Sequence, residues 1–357
     1  MSSTTASRSH YSSNLHPSQS SRNGPPGNSS RSITPRATPA PVEAPKIATG
    51  QHAAVRNLRL KTAEGHNGPL KSVAWNSTGS RVASASTDRT VRVWYPERLP
   101  EPRSRTRSTS GYTWELKGHN GAIEQVSWDP THSDRIASAS ADRSIKVWEY
   151  RMIKQLFTVE LSSAVLHVQY SPDGKFLAVG TKDETISIIS VTDQKVVREW
   201  QEKRTSIHQI VWSHSGHLLC LSTQQGTVKV FETLEWRFLH EIEGNTSSVF
   251  CLEFDPLGRY LAVGGADAII SLWDLRDWIC VRTFNALTQP IRTLSFSFDG
   301  AYIASGSEDN FIDISDVETG EQVHTISVNS TTNAIAWHPN KLNLAIANED
   351  KLLKLYQ

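Results

Sequence analysis

The sequence predicts an all-β chain folded as a seven-bladed β-propeller. An aromatic residue closes a short apolar strand seven times, at Trp75, Trp128, Tyr170, Trp212, Phe254, Phe296 and Trp337, in steps of 53, 42, 42, 42, 42 and 41 residues. A second register, Asp88, Asp142, Asp183, Gln225, Asp267, Asp309 and Asp350, runs beside the first. Six positions after each member stands Trp94, Trp148, Ile189, Phe231, Trp273, Ser315 or Tyr356. Turn signals such as Ser171-Pro172-Asp173-Gly174 and Asp255-Pro256-Leu257-Gly258 follow many of the aromatics, so each period reads as short strands joined by tight turns.

Taken in order, residues 1–52 are rich in Ser, Thr, Pro and Gly and poor in bulky apolar side chains. Such a segment buries too little to offset its ordering entropy, and a disordered tail is expected there. The propeller is expected over residues 53–357. The stretch from Val55 to Thr62, VRNLRLKT, alternates apolar with polar as a half-solvated strand does. Because the last repeat reaches Gln357 with only three strands, this stretch is expected to close the ring as the outer strand of the seventh blade. That pairing would also remove an exposed sheet edge. The one irregular step, 53, comes from an insertion at 95–111, YPERLPEPRSRTRSTSG, whose Pro, Ser and Arg content marks a surface loop.

Composition narrows the function classes. The net charge is +1 and 38% of residues are hydrophobic, which suits a globular chain with a sizeable core. No apolar run approaches the roughly 18 residues of a membrane span, and the N-terminus lacks the apolar segment of a secretory signal. An intracellular protein without membrane contact is expected. Cys220, Cys251 and Cys280 form no CxxC pair and read as buried small hydrophobes in a reducing compartment. There is no phosphate-binding Gly loop, no HExxH helix and no Cys/His cluster, so neither cofactor nor small-molecule substrate is indicated. His167, His208 and His324 read as strand or loop residues.

The four-strand period resembles the WD40 class of propellers. Two repeats carry a matched set: His66, Ser84, Asp88 and Trp94, then His119, Ser138, Asp142 and Trp148. A Ser-His-Asp hydrolase triad would occur once, in a cleft, and this set occurs twice at equivalent positions. The WD40 resemblance implies a structural role, a hydrogen-bonded chain within each blade. The fifth repeat has Gly244-Asn245 where Gly-His would stand and reads as degenerate. Residues beside the Asp turns of WD40 proteins are frequent contact points, which nominates Arg89 and Arg143 for partner binding. Trp273-Asp274-Leu275-Arg276 fits the WDxR pattern of substrate receptors of cullin-RING ubiquitin ligases, the alternative function.

Charge is unevenly placed. Residues 1–64 hold eight Lys/Arg against two Asp/Glu, a balance of +6, and the insertion holds four Arg against two Glu, a balance of +2; the rest of the chain therefore carries −7. Any nucleic-acid contact is expected in the basic appendages, at the tail and at Arg103, Arg105 and Arg107, and not on the ring.

The strings GGADAIISLWDL, CVRTF, IRTLSFSFDGAYIASGSEDNFIDISDVETGE and AIAWHP, in the stretch from Gly258 to Ala347, closely resemble the subunit 3 family of the THO complex. SEDNFIDI, with Ser315 in place of the usual closing Trp, is the most specific part. The resemblance implies a non-enzymatic subunit in the nucleus, within an assembly that links transcription to mRNA packaging and export and connects to the TREX machinery. It also implies docking on the large helical scaffold subunit. The Ser/Pro-rich tail and the Arg-rich insertion depart from the family pattern.

Overall fold

A computed structural model describes residues 49–99, 113–202 and 205–357. The strands form seven four-stranded sheets. Blade one consists of Leu70–Trp75, Val82–Ser86, Thr90–Trp94 and Thr113–Lys117, from the axis outward. Blades two to six repeat this antiparallel order, so the sequence period is one blade. Each aromatic of the first ladder is the last residue of an inner strand and is buried, and each Asp-turn position lies between second and third strands.

Second strands such as Val82–Ser86 and Leu344–Asn348 are buried at every residue, because neighbouring blades cover both faces. Their small side chains, as in VASAS, allow that close stacking. Outer strands such as Lys195–Gln201 are largely exposed. Apolar clusters join the blades, for example Ala83, Val91 and Val93 of blade one with Ile123, Val126 and Trp128 of blade two.

Inner strands leave one edge unpaired toward the axis, and a buried unpaired N–H or C=O is costly. Side chains of adjacent blades meet part of this need. Trp75 Nε1 donates to Ala336 O at 3.0 Å, Trp128 Nε1 to Ala74 O at 3.0 Å, and Trp212 Nε1 to Gln169 O at 3.3 Å. In the same seams Tyr170 N donates to Ser127 Oγ, Trp212 N to Gln169 Oε1 and Trp337 N to Ser295 Oγ.

The ring is closed by an N-terminal strand, with shifted bounds. Leu60–Ala63 pairs antiparallel with Leu353–Tyr356, Leu60 opposite Tyr356 and Ala63 opposite Leu353. Arg59 and Gln357 extend the ladder by exchanging main-chain hydrogen bonds of 2.7 and 3.0 Å. The expected strand from Val55 to Thr62 is corrected: Val55 and Arg56 belong to a helix, Thr49–Arg56. Eight residues are too few for an isolated helix, so its contacts must hold it. Val55 is fully buried in the cluster containing Tyr302, Ile312 and Ile326 of blade six and Trp337 and Leu344 of blade seven. His52 Nδ1 shares a 3.2 Å hydrogen bond with Tyr302 Oη, and Arg56 Nε donates to Val323 O at 3.2 Å. Of the tail expected to be disordered, residues 49–52 are helical and the remainder lies outside the described residues, as do residues 100–112 of the insertion region.

Val55→Asp would place an unpaired carboxylate between blades six and seven. We expect it to destabilise the protein by about 3 kcal/mol or more, read as a lowered urea midpoint. An unchanged midpoint would exclude the helix as part of the closure.

Candidate functional site

In blade one, His66 Nδ1 lies 2.8 Å from Asp88 Oδ2, His66 Nε2 lies 2.8 Å from Ser84 Oγ, and Trp94 Nε1 donates to Ser84 Oγ at 2.8 Å. The carboxylate selects the imidazole tautomer with the proton on Nδ1, leaving Nε2 to accept from the serine hydroxyl. Donors then run one way, from Trp94 through Ser84 and His66 to Asp88. Blade two repeats the chain: His119 Nδ1 to Asp142 Oδ2 at 2.9 Å, His119 Nε2 to Ser138 Oγ at 2.8 Å, and Trp148 Nε1 to Ser138 Oγ at 2.8 Å.

Further members were not legible from the ladders. Thr90 Oγ1 and Ser144 Oγ each donate to the second carboxylate oxygen, Oδ1, at 2.7 Å, and the N–H groups of Asn67 and Asn120 donate to Oδ2, beside the histidine, at 2.9 and 2.8 Å. Each carboxylate thus ties the turn between second and third strands to the loop before the inner strand. Glycine precedes each histidine because the tryptophan ring lies against it: a Cβ on Gly65 would stand 2.9 Å from Trp94 Cη2.

Burial pushes the Asp88 and Asp142 carboxyls up, but donors outweigh it and hold both well below 3.8, the ordinary value. For Asp88 the donors are His66, Thr90 and the Asn67 N–H; for Asp142 they are Ser144, the Asn120 N–H and His119. Burial lowers the His119 imidazole, against the opposing pull of Asp142. Ser84 and Ser138 are fully buried with their hydroxyls engaged, which leaves no accessible nucleophile in either set.

Blade five has rebuilt this network. Val263 occupies the register position of Ser84, and the hydroxyl comes instead from its cross-strand neighbour Ser271. Trp273 Nε1 donates to Ser271 Oγ at 2.9 Å, Ser271 Oγ to Asn245 Oδ1 at 3.4 Å, and Asn245 Nδ2 to Asp267 Oδ2 at 3.4 Å. In blade six, where Ser315 replaces the closing tryptophan, Ser315 Oγ and Gln322 Nε2 donate to buried Asp313 at 2.7 and 2.6 Å. Burial raises that carboxyl in spite of both donors.

Arg89 and Arg143 both lie in the left-handed region, at φ 70°, and their side chains are exposed beside the Asp turns of blades one and two. Arg103, Arg105 and Arg107 lie outside the described residues. Arg276 is exposed, with its main-chain N–H held by Asp274 Oδ1 at 2.8 Å. Cys220 and Cys251 are buried, but Cys280 is exposed on the outer strand of blade five, against the expectation for all three.

The inner strands surround an axial channel of about 780 Å³. Its walls mix signs, with Lys71 and Arg292 beside Glu124 and Glu253, so no single ligand charge is favoured. Burial in the wall pushes Glu253 up to about 8, and burial followed by the charge of His208 takes His167 down to about 4. Among the described residues no group of three or more His, Cys, Asp or Glu is placed to hold a metal ion, and no helix is long and apolar enough to cross a membrane.

Comparison with known proteins gives a sharper result than the geometry alone. A family profile described as the THOC3 β-propeller domain matches residues 66–347. THO complex subunit 3 of Arabidopsis thaliana is 40% identical over 136 residues, covering 38% of this chain and 41% of that protein. WD repeat-containing protein AAC3 of Dictyostelium discoideum is 36% identical over 149 residues, covering 39% of this chain and 31% of that one. The matched regions thus span less than half the length of these relatives. The crystal structure of the Cps50 (Swd1) β-propeller domain of Myceliophteria thermophila superposes with a TM-score of 0.72, covering 82% of this chain and 98% of that one, at 19% identity. That likeness is one of fold.

Asp88→Ala should cost about 2–4 kcal/mol, since it strands buried donors in blade one. A carboxyl held below its ordinary value stabilises the fold fully above 3.8 and loses that contribution as pH falls through the lower folded value. The wild-type stability curve should therefore drop in acid below about pH 4, and the variant curve should drop less; parallel curves would contradict the assignment.

Proposed function

The chain belongs to the THOC3 β-propeller family, and from that premise we propose that it is a non-enzymatic subunit of a THO complex in the nucleus, contributing to the coupling of transcription to mRNA packaging and export. The observation that carries this reading is the family match over residues 66–347, which includes the divergent sixth blade with Ser315. A propeller suits such a role: its rigid ring presents turns on two faces and strands around a rim to several partners at once. The partners proposed are other THO subunits, chiefly the large helical scaffold. Residues 53–357 would form the docking body, with 1–52 and 95–111 as appendages and Arg89 and Arg143 as candidate contacts.

The alternative, a substrate receptor of a cullin-RING ligase, draws on exposed Arg276 in the WDxR sequence. One purification separates the two readings. Affinity capture of the full chain from nuclease-treated nuclear extract should recover the THO subunits. Recovery of a ligase adaptor in their place, lost on Arg276→Ala, would reverse the conclusion.

RNA contact is proposed only for the appendages. The ring is net acidic, while the tail and the insertion around Arg103, Arg105 and Arg107 carry the excess of positive charge. Removing the tail and replacing the three arginines with alanine should abolish any salt-dependent RNA affinity of the isolated chain. Unchanged affinity would place the contact elsewhere.

A further inference from the structure

The outer strands of blades two to six share a defect. Each carries one extra, unpaired residue at the same point of its ladder with the third strand: Leu156, Val197, Leu239, Val281 and Val323. A bulge of this kind blunts an edge strand, but edges are usually protected by charged side chains or Pro, and all five of these residues are apolar.

Their surroundings differ. On blade six the chain covers its own bulge: Val323 packs against the cluster that holds Val55, and Arg56 Nε donates to the Val323 carbonyl at 3.2 Å. The covering element is the helix Thr49–Arg56. Leu156 on blade two is half-buried against its own core cluster. On three successive blades the equivalent residue is left open, with Val197 46%, Leu239 44% and Val281 48% exposed. Phe238 and Ile279 on the same strands add to this apolar rim, at 49% and 59%. Isolated exposed apolar residues are ordinary, whereas a run at one structural position on adjacent blades marks an interaction surface.

We infer that the rim of blades three to five is a docking surface for an α-helix of a partner protein, seated as Thr49–Arg56 is seated on blade six. The internal example specifies the chemistry. The partner helix presents a branched apolar side chain to the bulge and, one residue later, an arginine or lysine that donates to a carbonyl at the strand edge. The outer rim of the ring then serves assembly, which leaves the channel mouths and the Asp-turn face open. This inference rests on the reading of the chain as an assembly subunit and adds where and by what element it is held.

The test uses the full chain co-expressed with the large helical THO subunit. Val197→Asp/Leu239→Asp/Val281→Asp alters only exposed positions and should melt like wild type, yet bind the helical subunit about 100-fold more weakly. Met152→Asp, at a still more exposed apolar residue on blade two, should bind within about threefold of wild type. A photo-crosslinker at position 239 should label a helical segment of that subunit. Full binding by the triple variant, or crosslinking only to a second copy of this chain, would overturn the inference and leave subunit membership standing. Failure of the wild-type chain to bind would overturn membership, and the inference with it.

Discussion

The structure depends on closing a ring of seven blades when the repeated sequence supplies one strand too few for the last of them. Strands in six blades are local neighbours along the chain, but the seventh joins Leu353–Tyr356 to Leu60–Ala63 across nearly the whole sequence. Until that pairing forms, blade seven has a bare edge and the interface with blade one lacks a wall. Ala63 packs in one cluster with Leu353 and Leu355 of blade seven and with Leu70 and Val82 of blade one, so the closing strand belongs to two blades at once. The helix before it performs the same service between blades six and seven through Val55. Closure of this kind lowers the freedom of both ends together, which is why stability in such a ring is a shared property.

Within that frame the polar networks act locally. Each half-buried carboxylate in blades one and two fastens a turn to the loop leading into the inner strand, and the indole at the far end anchors the third strand to the second. A one-way chain of donors satisfies each buried group by the next, so deleting a member strands its neighbours. Blade five keeps the function of the chain with different atoms, and blade six replaces the indole by a Ser315–Asp313–Gln322 cluster. The fold requires a satisfied interior at each position, not a fixed set of residues.

Much of this was legible because a period exposes itself. Trp75 to Trp337 mark the inner strands, Asp88 to Asp350 mark the turns, and the absence of a fourth strand after Tyr356 called for one from before Gly65. The bounds of that strand were misplaced because alternation over 55–62 fits a strand, while the helix that holds Val55 is fixed by tertiary contacts that no local pattern encodes. The blade five network was invisible for a related reason: Ser271 lies one strand outward from the expected serine, adjacent in space and eight residues later in sequence. The bulged rim could not be read at all, since an extra apolar residue in an outer strand looks like ordinary alternation until its register is known.

The functional reading follows from family membership, and the physical account explains why the ring can serve it: a body fixed at its seams, with its least protected apolar surface on the outside. Everything in that account assumes that closure is as firm as the rest of the ring. Native-state hydrogen exchange measures this directly, by comparing the ladder-bonded amides of the closing strand, Lys61 and Ala63, with those of the buried strand Val82–Ser86. The account predicts that both sets exchange only through global opening, with equal free energies that fall together in denaturant. Exchange of the closing strand through a separate, much less costly local opening would contradict it.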